Sequence, residues 1–142
     1  MATVTVQAIC FVSRRILEAA GVPEEDAAII ADTISYANLH GLHTHGIGRL
    51  PLYVKKINSG CMRPDTPLRL VRDSGACALI DAGNGFGQVA AFRAVKRSVE
   101  KAREFGIAMV GVHGSNNFGA AGYFGRMAAE EGLACVVFAN SA

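Results

Sequence analysis

Apolar residues recur at helical spacing through residues 1–60 of the chain. The spacing predicts one helix over residues 5–20, which Gly21 ends, and a second helix over residues 23–39. Acidic residues in the first turn of the second helix suit the positive end of its dipole. A third helix is predicted over residues 50–58. This part of the chain is therefore expected to form a helical arm.

The pattern changes after residue 60, where Pro64 and Pro67 exclude a regular helix. Residues 68–72 alternate apolar and basic positions and residues 76–80 form a compact apolar run, which predicts a β-hairpin with a three-residue connection. Beyond the hairpin, the pattern predicts helices over residues 88–105 and 118–131 and strands over residues 107–112 and 133–138. The chain is therefore predicted to be an α/β protein, with a helical arm followed by a mixed sheet and helices.

Composition and charge narrow the classes of function. The chain has 142 residues and a formal net charge of +2, which is no electrostatic footprint for nucleic acid. Its apolar runs are too short to span a bilayer, and its N-terminus lacks the pattern of a signal peptide. The four cysteines are isolated from one another, which excludes a C-x-x-C motif and favours reduced thiols. We therefore expect a cytoplasmic protein without nucleic-acid or membrane partners.

Three of the four histidines, His40, His43 and His45, lie close to Arg49 in one short segment. A zinc site needs three or four ligands and no acidic residue lies in this segment, so no metal site is expected; metal binding by the three histidines is the weaker alternative. His45 and Arg49 are one helical turn apart and can reach one pocket. Arginine suits a carboxylate and histidine exchanges a proton near neutral pH, so the pair suits an anionic substrate with an adjacent hydroxyl or carbonyl.

Two further features each allow two interpretations. Tyr53 follows Arg49 by four residues on the same helical face, so its hydroxyl can join the pocket or its ring can be a half-buried aromatic. Residues 115–123 join a strand to a helix through small side chains. They either expose amides that bind an anion at the start of the helix or pack closely where larger side chains would not fit.

Three glycines, Gly83, Gly85 and Gly87, precede the helix predicted over residues 88–105. The dinucleotide-binding fingerprint G-x-G-x-x-G needs its third glycine one residue later, and no acidic residue ends the next strand. We therefore interpret the glycines as a strand-to-helix turn that needs unusual φ angles. Asp81, just before them, is expected to cap this turn or form a hydrogen bond with it.

Together these segments resemble the type-2 malate/L-lactate dehydrogenase family. The matching residues are Thr44-His45-Gly46-x-x-Arg49-x-x-x-Tyr53, Asp81-x-x-x-Gly85-x-Gly87-Gln88, Ser115 to Tyr123 and Asn140-Ser141. That family transfers hydride between NAD or NADP and 2-hydroxy or 2-oxo acids, and it also includes a cyclic imine reductase. The resemblance implies a non-Rossmann cofactor fold, present here only in part, and a homodimer with sites near the subunit interface.

The resemblance also implies roles for individual residues. His45 would exchange the proton or line the nicotinamide site, and Arg49, with Tyr53, would bind the substrate carboxylate. The cofactor would contact Ser141, Gly119, Ala120 and Gly122. Residues 1–60 would then be the arm that carries the histidine and arginine, and residues 61–142 would be the start of the cofactor-binding domain.

The chain departs from the family in two ways. Asn117 stands where the family usually has a histidine with the acid/base role, and an amide can orient a substrate oxygen without exchanging its proton. Asn117 is therefore counted among the catalytic positions, with His45 or His113 carrying the proton. The chain is also considerably shorter than the chains of family members. The alternative to an oxidoreductase is accordingly an inactive remnant, or an interaction module, of the same fold.

Overall fold

The computed structural model describes residues 4–140, in which helices and strands follow one another much as the sequence predicts. The helices are α1 Val6–Ala19, α2 Glu24–Leu39, α3 Leu50–Asn58, α4 Gly87–Phe105 and α5 Ala121–Glu130. The strands are β1 Arg69–Ser74, β2 Cys77–Asp81 and β3 Met109–His113. Two 3₁₀ turns, His43–His45 and Ile47–Arg49, connect α2 to α3. The α/β class and the helical arm are both confirmed.

One buried core joins the helical arm to the rest of the chain. Its members include Leu17, Ile30, Ile34, Tyr53, Met62, Phe86 and Val89. The rings of Tyr53, from α3, and Phe86, just before α4, meet edge to face with their centroids 5.5 Å apart. Burying each large apolar side chain contributes about 1.5–3 kcal/mol relative to leaving it exposed. The core therefore fixes α3 against the start of α4, and both elements reach the candidate site.

The three strands form one mixed sheet in the order β1-β2-β3. β1 and β2 are antiparallel, which confirms the predicted hairpin, whereas β2 and β3 are parallel and are joined through α4. The hairpin connection is shorter than predicted, because Ser74 pairs with Cys77 and leaves only Gly75 and Ala76 in the turn. Gly75 adopts a φ of 51° there, which glycine does without strain.

One predicted strand is absent from the described structure and one helix begins later than predicted. Residues 133–138 do not form a strand in the described structure, and Val136 and Phe138 are each 85% exposed. An apolar run becomes a strand only where a neighbouring strand supplies hydrogen bonds, and this run has no such neighbour among residues 4–140. α5 begins at Ala121 rather than at residue 118, because Gly119 has a φ of 83°, outside the helical region.

None of the helices within residues 4–140 is long and apolar enough to cross a membrane.

An ion-pair cluster ties the hairpin to α4. The Asp73 carboxylate accepts hydrogen bonds from Lys101 and Arg97. Lys101 is only 6% exposed, and its ammonium group also donates to the Gly75 carbonyl oxygen at 2.6 Å. These bonds, the one from Lys101 foremost, lower the pKa of Asp73. The cluster therefore contributes to stability only while Asp73 is ionised.

The lowered pKa of Asp73 predicts how this contribution depends on pH. The stabilisation is present above the ordinary aspartate pKa of about 3.9 and is lost as the pH falls through the lower pKa of the folded state. We expect Asp73→Asn to make the free energy of unfolding less sensitive to acid, as measured by urea denaturation across a pH series. Glu104→Gln, at an exposed position of α4, is the control. Equal acid sensitivity in Asp73→Asn and the wild type would contradict this role of the cluster.

Candidate active site

The segment between α2 and α3 forms two successive 3₁₀ turns that meet at Gly46. A Cβ at this position would lie 2.4 Å from the Asn38 side-chain oxygen, so any residue but glycine would require the Asn38 side chain to move. The His45 amide donates to the Leu42 carbonyl oxygen at 2.9 Å, and the Arg49 amide donates to that of Gly46 at 3.0 Å. Backbone hydrogen bonds therefore fix the positions of His45 and Arg49.

Thr44 connects these two side chains. His45 Nδ1 lies 3.0 Å from the Thr44 hydroxyl oxygen, and Arg49 Nε donates to the Thr44 carbonyl oxygen at 2.7 Å. Both contacts use the inner nitrogen of the side chain. His45 Nε2 and the two terminal nitrogens of Arg49 make no hydrogen bond to any residue that the structure describes. The outer nitrogens of both side chains therefore remain free to contact a bound molecule.

The other two histidines of the segment make different contacts. His40 stacks on Tyr36 with ring centroids 4.0 Å apart, and its Nδ1 lies 2.8 Å from the Tyr36 carbonyl oxygen. His43 is exposed to solvent. Among residues 4–140, no three His, Cys, Asp or Glu side chains are placed to hold a metal ion. His40 therefore has a structural contact at the end of α2. Of the three histidines, only His45 shares a hydrogen-bond partner, Thr44, with Arg49 in the described structure.

A second polar group joins three elements that are distant in sequence. Gln88 Nε2, from α4, donates to the Tyr53 hydroxyl of α3 at 2.8 Å, and this hydroxyl donates to Asn117 Oδ1 at 3.3 Å. The Gly119 amide donates to the same oxygen at 3.1 Å. Tyr53 and Gln88 are 2% and 1% exposed, whereas Asn117 is half-buried. These three hydrogen bonds hold Asn117 between the buried core and the surface.

Burial raises the pKa of Tyr53, while the Gln88 hydrogen bond and the positive charge of Arg49 oppose the rise. The phenol therefore stays protonated at neutral pH and keeps its proton for Asn117. Tyr53 is thus a buried aromatic residue whose hydroxyl also belongs to the polar group.

The loop between β3 and α5 is held through Asn116. Its side-chain amide donates to the carbonyl oxygens of Asn84 and Gly85 at 3.0 and 3.2 Å, and Lys56 Nζ lies 3.5 Å from its side-chain oxygen. The start of α4 touches this loop directly, because a Cβ at Gly87 would lie 2.2 Å from the Asn116 carbonyl oxygen. No side chain fits at Gly87 while the loop keeps its position.

The glycine-rich turn before α4 has the predicted unusual φ angle at Gly83 but not at Gly85 or Gly87. Gly83 and Asn84 have φ values of 56° and 64°. The Asp81 carboxylate accepts hydrogen bonds from the Gly83 amide at 2.9 Å and from Arg69 at 3.0 Å. These bonds, that of the amide foremost, lower the pKa of Asp81. The expected hydrogen bond between Asp81 and the turn is therefore confirmed.

The small residues at the start of α5 pack closely, which is one of the two interpretations that the sequence left open, and anion binding by its amides stays a prediction. A Cβ at Gly122 would lie 2.9 Å from the Tyr36 hydroxyl oxygen, and Gly119 has a φ of 83°, so both positions favour glycine for structural reasons. Ala120 is buried and provides no side-chain cap, so the first-turn amides of α5 lack a side-chain partner. Ser141 lies outside the described residues.

Sequence reasoning did not identify Gln88 or Asn116 as parts of the site. Gln88 lies 35 residues from its partner Tyr53, and Asn116 lies 32 residues from Asn84. Besides its place in the matching family motif, the local signal for Gln88 is a polar residue at the buried start of an amphipathic helix. Contacts at such separations follow from the tertiary fold and leave no periodic pattern in the sequence.

An α/β chain with a histidine and an arginine on adjoining 3₁₀ turns invites comparison with known dehydrogenases. The malate/L-lactate dehydrogenase family matches residues 4–142. The chain is 44% identical over 127 residues to a malate dehydrogenase of Pyrococcus abyssi, covering 89% of this chain and 35% of the relative. It is also 44% identical over 128 residues to an L-sulfolactate dehydrogenase of Methanothermobacter thermautotrophicus, covering 90% of this chain and 38% of the relative.

The structural comparison agrees with the sequence comparison. The fold matches a malate dehydrogenase structure from Pyrococcus horikoshii OT3 with a TM-score of 0.89 and 41% identity, over 92% of this chain and 38% of that chain. The chain therefore belongs to the malate/L-lactate dehydrogenase family, as its motifs indicate. It spans 35% and 38% of the length of the two curated relatives, and it corresponds to the N-terminal portion of the family fold.

The contact at Gly87 can be tested through stability. Gly87→Ala places a methyl group where the Asn116 carbonyl oxygen lies, so we expect the free energy of unfolding to fall by about 1–3 kcal/mol. Gly125→Ala, within α5, is the matched control, because a Cβ there meets nothing within 4 Å. Alanine at that helical position should stabilise by about 1 kcal/mol. Urea denaturation measures the free energy of unfolding of each variant. Similar values for Gly87→Ala and Gly125→Ala would contradict the close packing at Gly87.

Proposed function

We propose that the chain carries the proton-transfer and carboxylate-binding part of an oxidoreductase site, where hydride passes between NAD or NADP and a 2-hydroxy or 2-oxo acid. The observation that carries this proposal is the pairing of His45 and Arg49 on adjoining 3₁₀ turns, with their outer nitrogens free. The malate and sulfolactate dehydrogenases among the relatives support the reaction class. Both of their named substrates are 2-hydroxy acids.

Each side chain then has a role that its contacts allow. Arg49 binds the substrate carboxylate with its terminal nitrogens, since its Nε is anchored on Thr44. His45 gives a proton to the oxygen of the 2-oxo acid, or takes one from the 2-hydroxy acid, through Nε2. Asn117 orients the same oxygen through its amide. Tyr53 supports substrate binding through Asn117, because its hydroxyl is already engaged there.

The start of α5 is proposed to contact the cofactor. The amides that follow Ala120 have no side-chain cap, and Gly122 is exposed, so this donor set suits a phosphate group. Gly119 shapes the approach to these amides, since its own amide is used by Asn117. Ser141 completes the proposed set. A bound nicotinamide would supply or accept the hydride, while the side chains described above orient the substrate and move the proton.

We further propose that the protein is a cytoplasmic homodimer that binds no nucleic acid. The net charge of +2 and the apolar side chains exposed on the arm support this proposal. Phe11 and Leu39 are 66% and 62% exposed, and an open apolar groove between α1 and α3 is lined by Ile16, Leu50 and Val54. In this arrangement residues 1–60 supply the histidine and arginine, and residues 61–142 begin the cofactor-binding domain.

A second candidate function is an inactive remnant, or an interaction module, of the same fold. Asn117 favours it, because an amide does not exchange a proton near neutral pH. Titration of NADH into the purified chain, followed by NADH fluorescence, separates the two candidates. Saturable binding supports the oxidoreductase and contradicts the remnant, whereas no binding at about millimolar NADH supports the remnant.

Replacing His45 tests the proton role. We expect His45→Ala to lower the rate of NADH-dependent oxaloacetate reduction about 10²- to 10⁴-fold, because a positioned acid is lost. The rate is measured by NADH absorbance. His43→Ala removes a neighbouring exposed histidine and should leave the rate unchanged. Wild-type turnover in His45→Ala would refute the assignment.

Replacing Arg49 tests carboxylate binding. Arg49→Lys keeps the positive charge but loses the planar fork and the Nε contact with Thr44. We expect oxaloacetate to bind about 10- to 100-fold more weakly, as measured by isothermal titration calorimetry, which is the range for a charge-assisted hydrogen bond. Lys55→Arg, on the exposed face of α3, is the control. An unchanged affinity in Arg49→Lys would show that the carboxylate binds elsewhere.

A further inference from the structure

The hydrogen bonds around Asn117 have only one consistent direction. The Gly119 amide can only donate, so the Asn117 atom 3.1 Å from it is the carbonyl oxygen Oδ1. The Tyr53 hydroxyl, 3.3 Å from the same oxygen, must then donate to it. Because that hydroxyl has a single proton, it accepts from Gln88, whose Nε2 lies 2.8 Å away. The direction of the whole chain of bonds therefore follows from one backbone amide.

This direction decides which end of each carboxamide is free. Both bonds at Asn117 use Oδ1, so its NH₂ group is left without a partner in the described part of the chain. At Gln88 the opposite holds, because Nε2 is used and Oε1 is buried with no hydrogen-bond partner. An apolar side chain of similar size would avoid the cost of that unpaired oxygen. What Gln88 adds over such a side chain is the donor that it directs to Tyr53.

The surrounding packing prevents the bonds from rearranging. A Cβ at Gly119 would lie 3.4 Å from Gln88 Cγ, and Gly87 touches the backbone at Asn116. The loop that carries Asn117 therefore contacts the first turn of α4 twice, through Asn116 before Asn117 and through Gly119 after it. A rotated Asn117 carboxamide would turn its NH₂ toward the Gly119 amide, placing two donors against each other.

We propose that Gln88 is a positioning residue that, through Tyr53, fixes Asn117 as a hydrogen-bond donor and thereby sets the substrate class of the site. A donor suits the carbonyl oxygen of a 2-oxo acid and the hydroxyl oxygen formed from it, since both have lone pairs. It opposes a protonated cyclic imino acid, whose nitrogen carries a hydrogen and accepts no bond. The inference rests on the proposed function, which places Asn117 against the reacting group.

The positioning role is tested without ligand, by NMR of the Asn117 side-chain amide in the ¹⁵N-labelled chain. We expect its order parameter to fall in Gln88→Leu and in Tyr53→Phe, with no further fall in the double variant, because both changes break one chain of bonds. Gln88→Met keeps the approximate size but has no donor, and it provides the same comparison if the leucine variant does not fold.

Tyr123→Phe is the matched control, because it also removes a buried tyrosine hydroxyl, which donates to Asp32 Oδ2 at 2.6 Å. It should leave the Asn117 amide unchanged. An Asn117 order parameter equal to that of the wild type in the Gln88 variants would overturn the positioning role. Additive effects in the double variant would overturn it as well.

The substrate class is tested by calorimetric titration with 2-oxohexanoate and with protonated Δ¹-piperideine-2-carboxylate. We expect the wild type to prefer the 2-oxo acid about tenfold, Gln88→Met to reduce this ratio about fivefold, and Asn117→Asp to reverse it. The ratio reports hydrogen-bond polarity, which a general loss of stability would not change. Equal ratios in all three proteins would overturn the specificity. If the wild type binds neither compound, the proposed function and the specificity fail together, while the NMR result still decides the positioning role.

Discussion

The contact between the start of α4 and the Asn116 backbone is the constraint on which the candidate site depends. Gly87 allows this contact because a Cβ there would lie 2.2 Å from the Asn116 carbonyl oxygen. With α4 this close, Gln88 reaches Tyr53, and Tyr53 reaches Asn117. A glycine-rich turn that superficially resembles a nucleotide-binding fingerprint therefore serves packing in this chain. It brings the arm, α4 and the loop before α5 together at one point.

Most of the fold was predictable because most of its elements have local signals. The amphipathic spacing in α1, α3 and α4, the apolar composition of α2 and the alternation in the β1–β2 hairpin are visible within short windows of sequence. Residues 133–138 were mispredicted for a physical reason. Their composition favours burial, but pairing depends on a neighbouring strand, and Val136 and Phe138 are exposed in the described structure. The shorter hairpin turn reflects strand register, which composition does not specify.

The candidate site was predictable only in its local part. His45 and Arg49 lie close in sequence, so their spacing alone indicates a shared pocket, and the structure connects both to Thr44. Their roles in catalysis remain predictions. The partners of Asn117 could not be inferred, because Tyr53 is 64 residues away and the order of donors and acceptors depends on three elements. Sequence indicates which chemical groups are present, whereas tertiary packing decides which way each one points.

The long sequence separations within the site also have a kinetic consequence. The Tyr53–Gln88 and Tyr53–Asn117 contacts close loops of 35 and 64 residues, whereas the hairpin and the helices depend on near neighbours. Loop closure on that scale carries an entropy cost that only extensive packing offsets. We therefore expect the helices and the hairpin to form first and the Asn117 contacts to form last. A folding intermediate with native secondary structure would then lack the site, so the appearance of the site marks the end of folding.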